Sequence, residues 1–260
     1  MSDNSSLVRQ PIGFLDSGVG GIAVLKAAVD SLPSEDFLFY GDIGNAPYGS
    51  RSDADIRTLA LAAARFLVER GVKAIVVACN TATSAAIEEI RALYEGTIPV
   101  LGMEPAIKPA VQALPGGRIA VMATPAALRM KRFHEQLEQL RGAADILSAP
   151  CPGLSRLIEE AGPQSRAVED YVCELFKTLG AGKLDGVVVG CTHYIFIEER
   201  IRALTGAAIF NGVEGTVRHL HRRLEETGLL RPNEKAGETR LFATPGSEDQ
   251  LPLFERFLRL

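Results

Sequence analysis

Residues 73–86 read KAIVVACNTATSAA and residues 185–194 read DGVVVGCTHY. In each, a short valine-rich run ends in a small residue, a cysteine and then polar residues. Cys79 is followed by Asn80 and Thr81, and Cys191 by Thr192 and His193. A free cysteine thiol has a pKa near ~8.5, close enough to neutrality for acid–base work. Two thiols on opposite sides of one small ligand suit a two-base proton transfer. One, as thiolate, takes a proton from a carbon. The other, as thiol, delivers one to the opposite face, and the product is the mirror image. A single buried cysteine is as often an inert small hydrophobe. Two in matching contexts, 112 residues apart, weigh against that plainer reading.

The elements that must position these thiols are strands. A continuous apolar run of about four to eight residues fits a strand buried on both faces of a parallel sheet. Each cysteine then sits at the carboxyl end of a central strand, where open α/β sheets bind ligands. A helical pattern follows each run, so each thiol is expected at a helix N-terminus, whose dipole favours a thiolate. His193 would share a side with Cys191 if strand geometry continues. Taken alone, it reads as a loop histidine capping a helix.

The first strand is Ile12 to Leu15, followed by the turn Asp16-Ser17-Gly18 and a helix from about Gly21. This places Asp16 and Ser17 at the same sheet edge as the cysteines. The turn has neither GxGxxG nor GxxxxGK[ST], which argues against a dinucleotide or P-loop site. Strand 36–40 leads into the loop GDIGNAPYGSRS, in which Pro47-Tyr48-Gly49 could close over a small ligand. A helix is expected over 53–70 and another over 82–94, after Cys79. The run IPVLGMEPA at 98–106 is a strand and a crossover. Strand 118–124, a helix near 126–141, strand ADILSAP and helices over 154–161 and 165–181 then lead to the second cysteine strand. A last strand (AAIFNG, 207–212), a helix near 213–227, a polar linker at 231–238, a strand at TRLFATPG and a helix over 247–259 complete the chain.

The order of elements in 104–210 repeats that of the first half, and IEERIRAL after GCTHY echoes AIEEIRAL after ACNTATSA. The expected fold is α/β. It has two similar domains, each a mainly parallel sheet flanked by helices, with the site in the cleft between them. The first comprises 1–103 plus 213–260, with 1–10 as a disordered leader, and the second 104–212.

Composition narrows the function class. A net charge of -4 with no long run of one sign argues against an electrostatic nucleic-acid binder. No segment approaches the ~20 apolar residues of a membrane span. MSDNSSLVRQ lacks an apolar signal core, so the expected location is cytoplasmic, where thiols stay reduced. Cys151 and Cys173 share neither the strand nor the following threonine and read as bystanders. No CxxC pair suggests a metal site.

The motifs FLDSGVGGIAVL (14–25), GDIGNAPYG (41–49), ACNTATS (78–84), GMEPAIKPA (102–110) and GCTHY (190–194) together resemble those of bacterial glutamate racemases. These belong to the cofactor-independent aspartate/glutamate racemase superfamily. The resemblance implies that Cys79 and Cys191 are the catalytic bases, assisted by Asp16 and His193. It implies that Ser17, Pro47, Tyr48, Gly49, Asn80, Thr81 and Thr192 hold the amino acid, with Thr124 at one of two family threonine positions and Ala127 at the other. Glu159 is the best match to a family glutamate, with Glu160 next to it. The resemblance implies no cofactor or metal, a small-molecule partner, and D-glutamate supplied for peptidoglycan as the role. A homodimer is the expected assembly, although the residues themselves carry no sign of one. Ile195, where proline is usual, and Asn211 depart from the family pattern.

Other readings fit less of the sequence. A sister racemase, decarboxylase or isomerase would share the fold, but a single-base decarboxylase needs one cysteine only. A solute-binding module has two α/β halves but normally a signal peptide. A cysteine acyl-transfer hydrolase needs one nucleophile and a base, which leaves the second motif without a role.

Overall fold

The computed structural model describes residues 4–180, 182–232 and 235–260. In chain order the first half holds α1 (Asn4–Val8), β1 (Ile12–Asp16), α2 (Ile22–Ser31), β2 (Phe37–Gly41), α3 (Asp53–Val68), β3 (Ala74–Val77), α4 (Asn80–Tyr94) and β4 (Val100–Gly102). Then come α5 (Ile107–Ala113), β5 (Arg118–Ala123), α6 (Pro125–Arg129), α7 (Lys131–Gln139), β6 (Asp145–Pro150), α8 (Leu154–Ala161), α9 (Arg166–Thr178), β7 (Gly186–Val189), α10 (Glu198–Thr205) and β8 (Ala208–Phe210). The chain closes with α11 (Val213–Glu226), β9 (Thr239–Ala243) and α12 (Leu251–Leu258).

The strands form two wholly parallel sheets, ordered β4-β3-β1-β2-β9 and β6-β5-β7-β8. Both are flanked by helices, as expected of a two-domain α/β protein. The valine-rich runs are central strands: β3 and β7 are buried at every position, the pattern of a sheet covered on both faces. The C-terminal strand β9 returns to pair with β2 of the first sheet. In each sheet the strand order reverses about its first strand. In the first sheet β1 has β2 on one side and β3 on the other; in the second, β5 has β6 on one side and β7 on the other. Ligand crevices of open α/β sheets lie outside the carboxyl ends at such reversals. Asp16 ends β1 and Cys79 follows β3; Cys191 and Thr124 follow β7 and β5.

The fold departs from the sequence expectations in four places. Residues 4–10, expected as a disordered leader, carry α1; Leu7 packs on the core and the Val8 carbonyl accepts a bond of 2.7 Å from Lys73 Nζ. Residues 1–3 lie outside the described residues, as do 233–234 of the polar linker. The helix after Cys79 begins at Asn80, ahead of the expected 82–94 span, because the cysteine itself caps it. The helix near 126–141 is broken at Met130, whose backbone is extended (φ -72°, ψ 144°) while its side chain joins the first-half core cluster that includes Tyr48 and Ala126. After Cys191 the chain forms a 3₁₀ turn over Thr192–Ile197 rather than an α-helix. That turn tucks Tyr194 into the core, where its hydroxyl donates to the Cys151 carbonyl at 3.2 Å.

Candidate active site

The two sheet edges face one another across a cavity of about 20 Å³ whose wall includes both Cys79 and Cys191. Ser17, Pro47, Tyr48, Gly49, Asn80, Thr81, Thr124, Glu159 and His193 line it with them. All of these come from the sequence expectations. Asp16 and Thr192 stand immediately behind the wall, both buried, and Thr192 Oγ1 donates to Asp16 Oδ2 at 3.1 Å. Ser155 is the lining side chain that the motifs did not identify. A larger hollow of about 860 Å³ lies beside the crossovers, against Gly102–Ala106 and Phe210–Gly212, and contains neither thiol. The smaller cavity is therefore the candidate.

Local structure fixes each group. Cys79 ends the β3 segment and caps α4: its Sγ accepts from the Ala82 N–H at 3.4 Å and lies 3.5 Å from Ser17 Oγ. The helix terminus nevertheless does not lower this thiol. Burial, reinforced by the Asp16 carboxylate, pushes Cys79 up to about 12. The expectation of a thiolate favoured by the dipole is thus reversed at Cys79, since desolvation of a fully enclosed sulfur exceeds a terminal dipole effect of about 1 kcal/mol. At Cys191 the expected α-helix terminus is absent altogether. Its Sγ instead has His193 Nδ1 at 3.9 Å.

His193 and Glu159 form a closed pair, with Nε2 to Oε1 at 2.6 Å. Burial opposes the imidazolium, but its bonds to Cys191 and Glu159 outweigh burial and hold His193 well above 6.5. Burial likewise works against the Glu159 carboxylate, and the imidazolium overcomes it, so Glu159 lies below its ordinary value. Glu160 instead pairs with Arg156 on the surface at 2.7 Å. Asp16 is raised by burial, which its bonds from the Gly18 N–H and Thr192 only partly offset.

The loop over Pro47–Gly49 is held from below by Asp42. This buried carboxylate accepts from Tyr48 (2.6 Å), Asn45 (3.0 Å) and Thr244 (2.8 Å). Thr81 Oγ1 and Thr124 Oγ1 meet at 2.9 Å across the cleft, and Thr124 also accepts from the Ala127 N–H, capping α6. Two glycines permit the close approach of the halves. A Cβ at Gly49 would fall 2.9 Å from Thr124 Cβ, and one at Gly20 would collide with Thr192 and His193. The two departures from the motif pattern are structural here: Ile195 packs on the core, and Asn211 bonds Glu198 at 2.7 Å and the Val213 N–H at 2.9 Å.

Cys173 is exposed on α9, and Cys151 is buried with its Sγ on the Ala149 carbonyl at 3.2 Å. Among the described residues no group of three or more His, Cys, Asp or Glu is placed to hold a metal ion. No helix among them is long and apolar enough to cross a membrane.

Known proteins are similar to this chain in sequence and fold. A glutamate racemase of Clostridium botulinum (strain Loch Maree / Type A3) is 44% identical over 246 residues, 94% of this chain and 95% of that protein. The solved structure of a Francisella tularensis glutamate racemase in complex with D-glutamate superposes with a TM-score of 0.84 at 29% identity, over 98% of this chain and 95% of that one. The Escherichia coli glutamate racemase in complex with L-glutamate and the activator UDP-MurNAc-ala gives 0.82 at 27% identity, over 95% of each chain. The family model for Asp/Glu/Hydantoin racemases matches residues 20–220, which include both thiols, His193 and Glu159. With that match and the paired strand-end cysteines together, this chain belongs to the Asp/Glu/Hydantoin racemase family.

Proposed function

We propose that this enzyme interconverts L- and D-glutamate by two-base proton transfer between Cys79 and Cys191, with no cofactor. The observation that carries the reading is the placement of both thiols in the wall of one cavity, each at a strand-order reversal of a different sheet. In one direction Cys191 takes the α-proton and Cys79 delivers its own thiol proton to the opposite face; the reverse reaction exchanges the roles. Cys79, pushed up to about 12, waits as a thiol and so suits delivery. The family resemblance supports assigning Cys191 to L-glutamate and Cys79 to D-glutamate. His193 is within reach of Cys191 to take or return its proton, and Glu159 holds the ring in place. Asp16 backs Cys79 electrostatically and orders Thr192. Ser17, Pro47–Gly49, Asn80, Thr81 and Thr124 surround the amino acid, with Thr192 behind them on Asp16.

The cavity has room for little more than a water molecule, so the cleft widens to admit glutamate. Its limits are the crossovers between the sheets. We place the domains at 1–103 plus 213–260 and at 104–212, a division supported by the return of β9 to β2. The names of the relatives support glutamate as substrate. The resemblance alone supports a cytoplasmic homodimer supplying D-glutamate for peptidoglycan.

Incubation of the reduced protein with L-glutamate in deuterated water tests the reaction. Loss of optical rotation together with the Cα proton is expected, without added metal or pyridoxal phosphate. Racemisation of aspartate but not glutamate would overturn the substrate.

A second expectation concerns pH. The carboxylate of Glu159 is one of the groups that raise His193, so Glu159→Gln lowers it towards 6.5. If the imidazolium is the working form, the alkaline limb of kcat/KM shifts to lower pH. Turnover near pH 8 falls by about tenfold or more, while the loss is smaller near pH 6. A variant whose profile keeps the wild-type limbs would exclude this role.

A further inference from the structure

The cavity wall contains no lysine or arginine among the described residues. A ligand with two carboxylates must therefore be held by neutral donors, by backbone N–H groups and by His193. Most of the polar side chains in the wall are already engaged. Ser17 lies on Cys79, Tyr48 donates to Asp42, Thr81 and Thr124 bond each other, and Glu159 and Cys191 both bond His193. Two have no partner among the described residues. Asn80 is buried, and neither its Nδ2 nor its Oδ1 has a protein partner. The other is Ser155, whose hydroxyl forms no hydrogen bond within the described chain and which stands one helical turn before Glu159 on α8. Residues four apart on a helix share a face, so the face that holds Glu159 against His193 also presents Ser155 to the cavity.

We propose that Ser155 is a substrate-contacting residue whose hydroxyl donates to a carboxylate of the bound amino acid. The inference rests on the glutamate racemase reading above. A hydroxyl with no protein partner, on a helix, in a wall without lysine or arginine, has its donor available for the ligand. A hydrogen bond to a charged group is worth enough that losing it changes affinity by roughly tenfold or more. The contact is made to a group that does not react, so its loss falls on KM and leaves kcat within a few-fold.

Three variants test this against volume and folding effects. Ser155→Ala removes the hydroxyl. Ser155→Thr and Ser155→Val have nearly the same shape and differ in the hydroxyl. The readouts are KM and kcat for L- and D-glutamate and the thermal midpoint of each protein. Racemisation by the wild type is the control for the underlying reading; if it fails, that reading fails and not this assignment. With an active wild type, the expected result is a KM raised about tenfold in Ser155→Ala, with Ser155→Val clearly above Ser155→Thr. An Ala variant within twofold of wild type, or Thr and Val variants with equal KM, overturns the contact.

Discussion

Cys79→Ser and Cys191→Ser should each abolish glutamate racemisation, with losses at or beyond the ~10²–10⁴-fold that a positioned acid or base supplies. An alcohol is a far weaker base near neutrality than a thiolate, so either substitution breaks the relay in both directions. The informative readout is the half-reaction that survives. β-Chloroglutamate loses HCl after a single deprotonation: the base takes the α-proton and the resulting electron pair expels chloride. The Cys79→Ser protein keeps Cys191 and should process the L-configured chloroglutamate. The Cys191→Ser protein keeps Cys79 and should process the D form. If both variants process one enantiomer equally, the thiols do not flank opposite faces of the α-carbon. Asp16→Asn and His193→Asn should slow the two directions unequally. Because the equilibrium constant fixes the ratio of kcat/KM values, that asymmetry shows in kcat and KM separately.

Replacement of Lys73 by methionine should be the most damaging change to stability outside the site. Lys73 is fully buried, forms an ion pair of 2.5 Å with the equally enclosed Glu35, and donates to the Leu229 carbonyl at 2.8 Å as well as to Val8. Burial works against its charge and lowers its pKa, and the bonds to Glu35 only partly restore it. Removing one partner of such a pair leaves the other charge stranded, at a cost of about 3–5 kcal/mol. For a protein of this size the thermal midpoint should drop by about 10 °C. The position immediately precedes β3, at the strand end opposite Cys79. Turnover at moderate temperature should therefore stay near wild type. A Lys73→Met protein as stable as the parent in urea or heat would show that the pair contributes nothing.

The strands that carry the thiols were legible because a parallel strand covered on both faces leaves a continuous apolar run, and both runs end in cysteine. Glycines at 18, 20 and 49 and the loop Pro47–Gly49 were legible through their motifs. What was not legible lay in contacts distant in sequence. Met130 breaks a helix because its side chain finds the other half's core. Residues 4–10 are tied down by a lysine 65 residues away from Val8. The 3₁₀ turn after Cys191 depends on Tyr194 reaching Cys151. Glu159 is separated from Glu160 by tertiary placement alone, since either fits the helical pattern, and only Glu159 meets His193. The balance of burial against dipole at Cys79 was equally invisible: it depends on how completely the sulfur is enclosed.

The absence of lysine and arginine from the described cavity wall has a kinetic meaning. With a net charge of -4, the protein as a whole does not attract an anionic amino acid. Encounter is left to unaided diffusion, since steering requires a field of opposite sign. Screening by salt, with a Debye length of about 8 Å at physiological ionic strength, then has little long-range attraction to remove. Discrimination falls instead on donors that act only at contact. A wall without lysine or arginine therefore holds and releases its ligand through contacts that depend little on salt.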